Sequence, residues 1–368
     1  MLTLLDWVAL SLFGLARTKS CGSWLRTWLD ASTPLRVAPA PSLADALAAA
    51  AGPEAADVLA RDLRAEAEQL LVQARRERIS VIPWGDERYP RLLAAIPDPP
   101  LVLWIRGDPR VLGEPAVALV GSRAGSPYGL EVAARLAQDL AVAGATVVSG
   151  LARGVDSAAH RGALAGDGLT VAVLGSGLLR VYPPEHQGLA ERIAARGAVV
   201  SEWPPDTGPR RLNFRARNRI ISGLSLGVVV IEAADRSGSL ITASFALQQG
   251  REVMAVPGNV LTGRYRGGHA LIRDGATVVE SAEDVIECLR GSPLRSLAHP
   301  RQFGPEGPPA GDPLLSALEE GEAEDLDTLA ARSGLDPAAL LPRLLQLELQ
   351  GAVRRVAGGR FVRVGRTC

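Results

Sequence analysis

The feature that most limits the fold of this chain is an alternation of short apolar runs with amphipathic helical patterns, from about residue 116 to residue 287. Seven runs have the length of a strand and are apolar almost throughout: "AVALVG", "TVVSG", "TVAVLG", "AVVSE", "GVVVIEA", "EVMAVPG" and "ATVVES". Such strands are buried on both faces, and helices between consecutive strands supply the crossovers of a parallel sheet. The sequence therefore predicts an α/β fold, an extended Rossmann-like, doubly wound and mostly parallel sheet within residues 79–290.

Three further segments flank this sheet. Helical patterns such as "LLDWVALSLF" predict a small N-terminal helical domain over residues 1–78, and residues 79–107 predict a connector with one extra strand at "LVLWIRG". Residues 291–313 are rich in Pro and Gly, which is typical of a linker. Residues 314–368 show three helical patterns followed by two short strands joined at a pair of glycines. This order predicts a C-terminal winged helix.

The charge balance restricts where a polyanion could bind. The chain has 40 Lys and Arg against 40 Asp and Glu, so only a local cluster could attract nucleic acid. Residues 210–223, "RRLNFRARNRIISG", form such a cluster, with five arginines around one phenylalanine and no acid. Because arginines neutralise phosphates and an aromatic ring can stack on a base, we predict a single-strand site that includes Arg211, Phe214, Arg217 and Arg219. The alternative is a helix whose aromatic ring enters the core while its arginines are solvated.

Gly-rich turns after the predicted strands supply further candidates. Ligands of doubly wound sheets bind at the carboxyl ends of the strands, where turn amides and helix starts can meet phosphate. The candidates in four such turns are Gly121, Ser122, Arg123, Arg153, Gly175, Ser176, Ser237 and Ser239. The alternative for each turn is a tight connection with an ordinary helix cap.

The same turns argue against cofactor chemistry. Gly121, Gly125 and Gly129 are each four apart, which is not the dinucleotide fingerprint, and the second strand lacks the terminal acid that would bind a ribose. The three cysteines are far apart and without metal-ligand spacing. We therefore expect no cofactor and no metal site.

Catalytic residues are not expected either. Asp156 and His160 could form an acid–base pair, but a helix cap and a packed histidine explain them more simply. Ser176 does not stand in a nucleophile elbow, so a phosphate or backbone ligand is the better interpretation.

Taken together, "VGSR", "SGLARGVDSAAHRGAL", "VAVLGSGL", "YPPEH", "NFRARNRIISGLS", "SGSLITASFALQQGREVMAVPG" and "GGHALIRDGA" resemble the DprA/Smf family (DNA processing protein A) over about residues 80–285. The resemblance implies a cytoplasmic, non-enzymatic protein that binds single-stranded DNA entering during natural transformation. It also implies a homodimer formed through the Rossmann-like domain, and RecA recombinase as the partner that the protein loads onto DNA.

The resemblance also assigns roles by position. The family's glycine–serine–arginine turn matches Gly121, Ser122 and Arg123, and its basic residue and aromatic, three apart, match Arg211 and Phe214. A lysine is common in the family where Arg211 stands. The family's dimer surface is similar to the region that holds the apolar residues Leu271, Ile272 and Val278. The N-terminal helices resemble the family's small SAM-like domain, and the acidic surroundings of the winged helix favour a protein-interaction or weak DNA-contacting role.

Two other function classes stay open. One is an enzyme acting on a nucleotide or phosphoribosyl group, since phosphoribohydrolases share a Rossmann-like fold. Their Pro-Gly-Gly-x-Gly-Thr-x-x-Glu turn is replaced here by "DRSGSLITAS", which lacks the glutamate. The other is a docking protein, which leaves the arginine cluster unexplained. Asp6 interrupts the apolar start and nothing reaches the length of a membrane span, so we expect neither a signal peptide nor a membrane partner.

Overall fold

The computed structural model describes residues 2–16, 42–51, 53–289, 313–318, 323–336, 340, 343–344, 347, 353–356 and 360–363. Contacts divide the chain into two units, Met1–Pro300 and Arg301–Cys368. Within the described ranges, no helix has the combination of length and apolar character that a membrane span requires.

The first unit begins with the predicted helices, α1 (Leu4–Ala16), α2 (Leu43–Ala51) and α3 (Pro53–Arg76). Asp6 accepts the Thr3 N–H at 2.9 Å and the Arg64 guanidinium at 2.7 Å, so it caps α1 and ties it to α3. These contacts hold the pKa of Asp6 below its usual value, although burial opposes them. The apolar faces of these helices share one hydrophobic cluster with part of the sheet. A domain boundary at residue 78 stays a prediction.

Nine strands form the sheet of this unit. They are β1 (Ser80–Pro83), β2 (Val102–Gly107), β3 (Ala116–Val120), β4 (Thr146–Ser149), β5 (Thr170–Val173), β6 (Ala198–Ser201), β7 (Gly227–Val230), β8 (Glu252–Ala255) and β9 (Thr277–Val278). Their order is β1-β2-β6-β5-β4-β3-β7-β8-β9. All neighbours from β6 to β9 pair in parallel, whereas β2 is antiparallel to both β1 and β6. The mostly parallel, doubly wound fold is confirmed.

Eight helices accompany the strands. They are α4 (Arg91–Ala94), α5 (Pro127–Val142), α6 (Val155–Ala165), α7 (Gln187–Arg196), α8 (Arg211–Gly223), α9 (Ser239–Gln248), α10 (Arg266–Arg273) and α11 (Ala282–Cys288). Alternate residues of β3 enter different clusters: Ala118 packs on the side of α8 and α9, and Val117 on the side of α5 and α6. Both faces of the sheet are therefore covered, which explains the continuous apolar runs.

The strand order contains a reversal that matters for ligands. From β3 the chain builds outward through β4, β5 and β6, and then returns to place β7 on the other side of β3. The carboxyl ends of β3 and β7 therefore meet at a topological switch point, where open α/β sheets form a crevice.

The second unit has α12 (Pro313–Ala317), β10 (Ala323–Glu324), α13 (Leu326–Ser333), β11 (Val353–Val356) and β12 (Arg360–Arg363). The predicted hairpin is present, and β10 pairs with β12 as a third strand that the sequence did not predict. Leu340, Leu344 and Leu347 are buried at helical spacing in the region of the predicted third helix. The glycine turn of the hairpin and nearly all of the predicted linker lie outside the described residues.

Candidate nucleic-acid interface

Phe214 stands at the centre of the candidate interface, in the first turn of α8. Its half-buried ring has a centroid 5.4 Å from that of Tyr182, with the ring planes tilted by 51°. The guanidinium carbon of Arg123 lies over the ring, 5.7 Å from its centroid. Three segments that are distant in sequence thus meet at the carboxyl ends of β3, β4 and β5, as expected for Arg123 and Phe214.

Gly175 explains why the ring can lie so close to the sheet. A Cβ at this position would lie 2.6 Å from Cδ1 of Phe214, closer than non-bonded carbon atoms approach. The adjoining Ser176 is buried, and its hydroxyl has no hydrogen-bond partner in the described part of the chain. Gly175 therefore supports the ring from below, whereas Ser176 does not present its side chain to a ligand.

Arg217 corrects one expectation. Its side chain is buried beneath the interface, and its guanidinium donates to the carbonyl oxygens of Gly150, at 2.7 Å, and Val173. Burial lowers the pKa of Arg217 to about 10, while the carboxylate of Asp156 opposes this shift. The residue fixes α8 to the ends of β4 and β5, so it does not offer an open guanidinium to phosphate.

Arg219 is a second correction. Its guanidinium makes two hydrogen bonds to the Glu202 carboxylate, at 2.9 and 2.7 Å, and a third to Oδ2 of Asp98 at 3.0 Å. Burial acts to lower the pKa of Arg219, but the charge of Glu202 outweighs it and raises the pKa above its usual value. Only 10% of the side chain is exposed, so this arginine is an internal anchor rather than a phosphate ligand.

The other arginines of the cluster face outward. Arg210, Arg211 and Arg215 are exposed and form no ion pair within the part of the chain that the structure describes. Arg153, from the second turn, is also exposed, but its Nε donates to the carboxylate of Glu185. Uncompensated positive charge therefore comes from Arg123 and from these three arginines of the cluster.

The first turn contributes mainly through Arg123. Gly121 packs against Val155 at the start of α6, and the Ser122 N–H donates to the carbonyl oxygen of Glu232 at 2.7 Å. The hydroxyl of Ser122 accepts the N–H of Ala124. The N–H groups of Ser122 and Ala124 are thus satisfied within the protein, and the turn presents the exposed guanidinium of Arg123.

The fourth turn lies apart from this cluster. The hydroxyls of Ser237 and Ser239 are 2.7 Å apart and bond to each other, and Ser239 is buried. The carbonyl of Gly238 accepts the side-chain amide of Asn218, which places the turn beside the middle of α8. No contact joins either serine to Phe214 in the described residues.

Asp156 and His160 do not form an acid–base pair. Asp156 accepts the N–H groups of Gly150 and Ala152, at 3.2 and 3.4 Å, so it orders the turn before α6 rather than capping the helix. His160 lies 2.7 Å from the Thr170 hydroxyl, and burial lowers the pKa of its ring to about 3. The packed-histidine interpretation is the one that fits.

Sequence reasoning left two participants out of the site. Tyr182 is 37% exposed and contacts Phe214; its signal was the Tyr-Pro-Pro run after a Gly-rich turn. Glu232 is buried at the end of β7, with its carboxylate accepting the N–H and hydroxyl of Ser126 and the hydroxyl of Tyr265. Its signal was an acid at the end of the otherwise apolar run "GVVVIEA".

The remaining expected features lie elsewhere. Leu271 and Ile272 are half-buried on α10, and Val278 is 45% exposed on the edge strand β9. Cys288 is a free thiol, while Cys21 and Cys368 lie outside the described residues. Across the described ranges, no group of three His, Cys, Asp or Glu side chains could hold a metal ion.

Comparison with known proteins identifies the family. The family model for DNA recombination-mediator protein A matches residues 80–290, and the model for the DprA winged helix domain matches residues 299–359. Protein Smf of Escherichia coli is 41% identical over 313 residues, covering 83% of each chain. DNA processing protein DprA of Bacillus subtilis is 40% identical over 236 residues, covering 64% of this chain and 78% of the relative.

Solved structures agree with this assignment. DprA from Streptococcus pneumoniae superposes with a TM-score of 0.67 at 34% identity, covering 77% of this chain and 97% of that one. DNA processing protein A from Helicobacter pylori, whose structure was described for its single-stranded DNA binding mode, has a TM-score of 0.53 at 30% identity and covers 58% of this chain and 95% of that one. With a family model across more than half of its length and relatives of this similarity, the chain belongs to the DNA recombination-mediator protein A family, that is, DprA/Smf.

Proposed function

We propose that this protein binds single-stranded DNA with little base preference at the surface formed by Arg123, Tyr182, Arg211, Phe214 and Arg215. The observation that carries the proposal is the ring of Phe214, held at the surface between an aromatic side chain and an unpaired guanidinium. Stacking of a base on an aromatic side chain contributes about 1 to 3 kcal/mol and tolerates any base.

The geometry suggests how the strand enters. The Arg123 guanidinium covers the ring of Phe214. An incoming base takes that place, and the guanidinium turns to the neighbouring phosphate, where its planar donors suit phosphate oxygens. Arg211 and Arg215, one helical turn apart on the exposed side of α8, supply further phosphate contacts.

The comparisons support this assignment and the wider role. The Helicobacter relative binds single-stranded DNA, and several relatives are DNA processing proteins. We extend the proposal to a cytoplasmic protein that protects incoming DNA in natural transformation and loads RecA. The homodimer would use Leu271, Ile272 and Val278, which flank the free edge of β9 in the described part of the sheet.

Non-enzymatic action is part of the same proposal. Two acids from the turns around the interface are already engaged, since Asp156 accepts backbone N–H groups and Glu185 accepts Arg153. Neither is free to act as a general acid or base on a bound nucleotide. The phosphoribohydrolase alternative is therefore not favoured.

The test measures binding of labelled oligo-dT to wild type, Phe214→Ala and Arg123→Ala across a salt series. Both variants should bind more weakly, and Arg123→Ala should flatten the slope of log K against log salt by about 0.7, the loss of one phosphate contact. Arg192→Ala, which removes an exposed arginine from the middle of α7, is the matched control and should bind like wild type. Wild-type affinity in both Phe214→Ala and Arg123→Ala would refute the site.

A further inference from the structure

We infer that the bound strand continues from Phe214 across the first turn to a second stacking position at Tyr128, with Arg264 as the phosphate contact between them. The inference rests on the proposed single-strand function and adds a subsite at the switch point between β3 and β7. It is carried by three features of that crevice: a half-exposed guanidinium anchored through one nitrogen, an exposed tyrosine ring in contact with a buried one, and a buried acid whose charge does not face the solvent.

Arg264 links the two positions. Its Nη1 donates to the carbonyl oxygen of Ala124 at 2.9 Å, directly beside Arg123. The side chain is 49% exposed, and its Nε and Nη2 make no hydrogen bond within the described residues. Arg123 and Arg264 therefore flank one turn, and both guanidiniums have unused donors. The Arg264 guanidinium is already oriented by its hydrogen bond to the carbonyl oxygen of Ala124. An oriented guanidinium binds a phosphate with less loss of side-chain entropy than a free one.

Tyr128 lies in the first turn of α5 and is 56% exposed. Its ring meets Tyr265 edge to face, with centroids 6.3 Å apart and planes at 65°. Tyr265 is itself buried, and its hydroxyl lies 3.3 Å from the Glu232 carboxylate. Because Tyr128 packs against a buried ring and is still more than half exposed, it can serve as a stacking platform for a base.

Glu232 holds the crevice together without repelling a polyanion. Its carboxylate accepts hydrogen bonds from Ser126, Tyr265 and Arg264, and the side chain is 1% exposed. The acid thus joins the turn after β3 to the segment that carries Arg264. Because its charge is buried and surrounded by donors, the charge at the surface above it comes from the guanidiniums, and the tyrosine adds an aromatic ring.

The experiment compares wild type, Tyr128→Ala, Tyr128→Phe and Arg264→Ala in binding oligo-dT of about 4 to about 16 nucleotides. With the shortest oligomers, which reach only Phe214, all four proteins should bind alike. With the longer oligomers, Tyr128→Ala should lose about five- to a hundredfold in affinity, while Tyr128→Phe keeps the wild-type value. Arg264→Ala should flatten the salt slope by about 0.7, and only for the longer oligomers.

Val142→Ala and Arg192→Ala are the matched controls, since Val142 is exposed at the far end of α5 and Arg192 lies on α7. If Tyr128→Ala binds every length like wild type while Phe214→Ala does not, the subsite is wrong and the proposed function stands. An equal loss at every length would also overturn the subsite, because it would show a general disturbance of the turn. Wild-type binding by Phe214→Ala and Arg123→Ala would remove the proposed function and this inference with it.

Photocrosslinking supplies an independent readout. Oligo-dT of about 16 nucleotides carrying 5-iododeoxyuridine, bound to the wild-type protein, should crosslink to the peptide that contains Tyr128 as well as to the one that contains Phe214. A crosslink at Phe214 without one at Tyr128, for any position of the modified base, would overturn the second subsite.

Discussion

The arginines of α8 are one residue type used in opposite ways. Arg211 and Arg215 are exposed beside Phe214, whereas Arg217 and Arg219 are buried and donate to protein acceptors. The side chains do not differ in chemistry, so the difference comes from what lies opposite each of them. Carbonyl oxygens at strand ends and two acids from other segments make the buried pair structural, and solvent leaves the outer pair free for phosphate.

The largest expected effect tests the buried pair. Arg219→Ala removes the arginine partner of the buried Glu202 carboxylate and should destabilise the protein by about 3 to 5 kcal/mol, since a buried charge without compensation is costly. Chemical denaturation followed by circular dichroism measures this change. Arg215→Ala, an exposed arginine from the same helix, is the control and should stay within about 0.5 kcal/mol of wild type. Equal stability of the two variants would contradict the structural role of Arg219.

The second effect concerns pH. His160 has a pKa of about 3 in the folded protein because burial disfavours its charged form, against 6.5 for an unperturbed histidine. The unfolded chain therefore binds a proton that the folded protein does not, and stability falls as pH drops from about 6.5 towards 3, by about 1.4 kcal/mol per unit.

Denaturation midpoints of wild type and His160→Gln between about pH 7 and pH 4.5 isolate this contribution, which should disappear in the variant. DNA affinity at about pH 6.5 to 8 should stay constant, because the exposed Arg211 and Arg215, which we propose to contact phosphate, do not titrate in this range. Identical pH profiles of stability for both proteins would contradict the assignment of the neutral, buried histidine.

The third effect tests how the ring of Phe214 is held at the surface. Gly175→Ala places a methyl group against the ring of Phe214 and should displace it, with a loss of single-strand affinity close to that of Phe214→Ala, about five- to a hundredfold. The two changes act on one contact, so the double variant should lose little more than either single one. Gly188→Ala on α7 is the control, since a Cβ there meets no atom within 4 Å. Additive losses would show that Gly175 acts on something other than the ring.

Much of the fold followed from local pattern. The seven apolar runs are strands because burial on both faces requires continuous apolar sequence, and this signal is visible in a short window. The edge strand β1 was missed as a strand, since four residues that end in Pro83 give no such signal and depend on pairing with β2. The succession of strands and turns also predicted that Arg123 and Phe214 lie at the same edge of the sheet.

The roles of the arginines could not be assigned in the same way. Helical periodicity separates Arg211 and Arg215 from Arg217, but the burial of Arg219 depends on Asp98, which is 121 residues away in sequence. The crevice around Glu232 likewise joins groups from three separate segments. These contacts between distant segments form only through tertiary packing, so the local sequence does not predict them.

The ion pair of Arg219 also bears on how a mutational screen of this family would be interpreted. A screen that scores loss of transformation ranks positions by the amount of working protein, and a variant that unfolds is scored like one that no longer grips DNA. Arg219 and Phe214 would then appear side by side as equally important. Only a parallel measurement of protein abundance would separate Arg219, which stabilises the fold, from Phe214, which we propose to contact DNA.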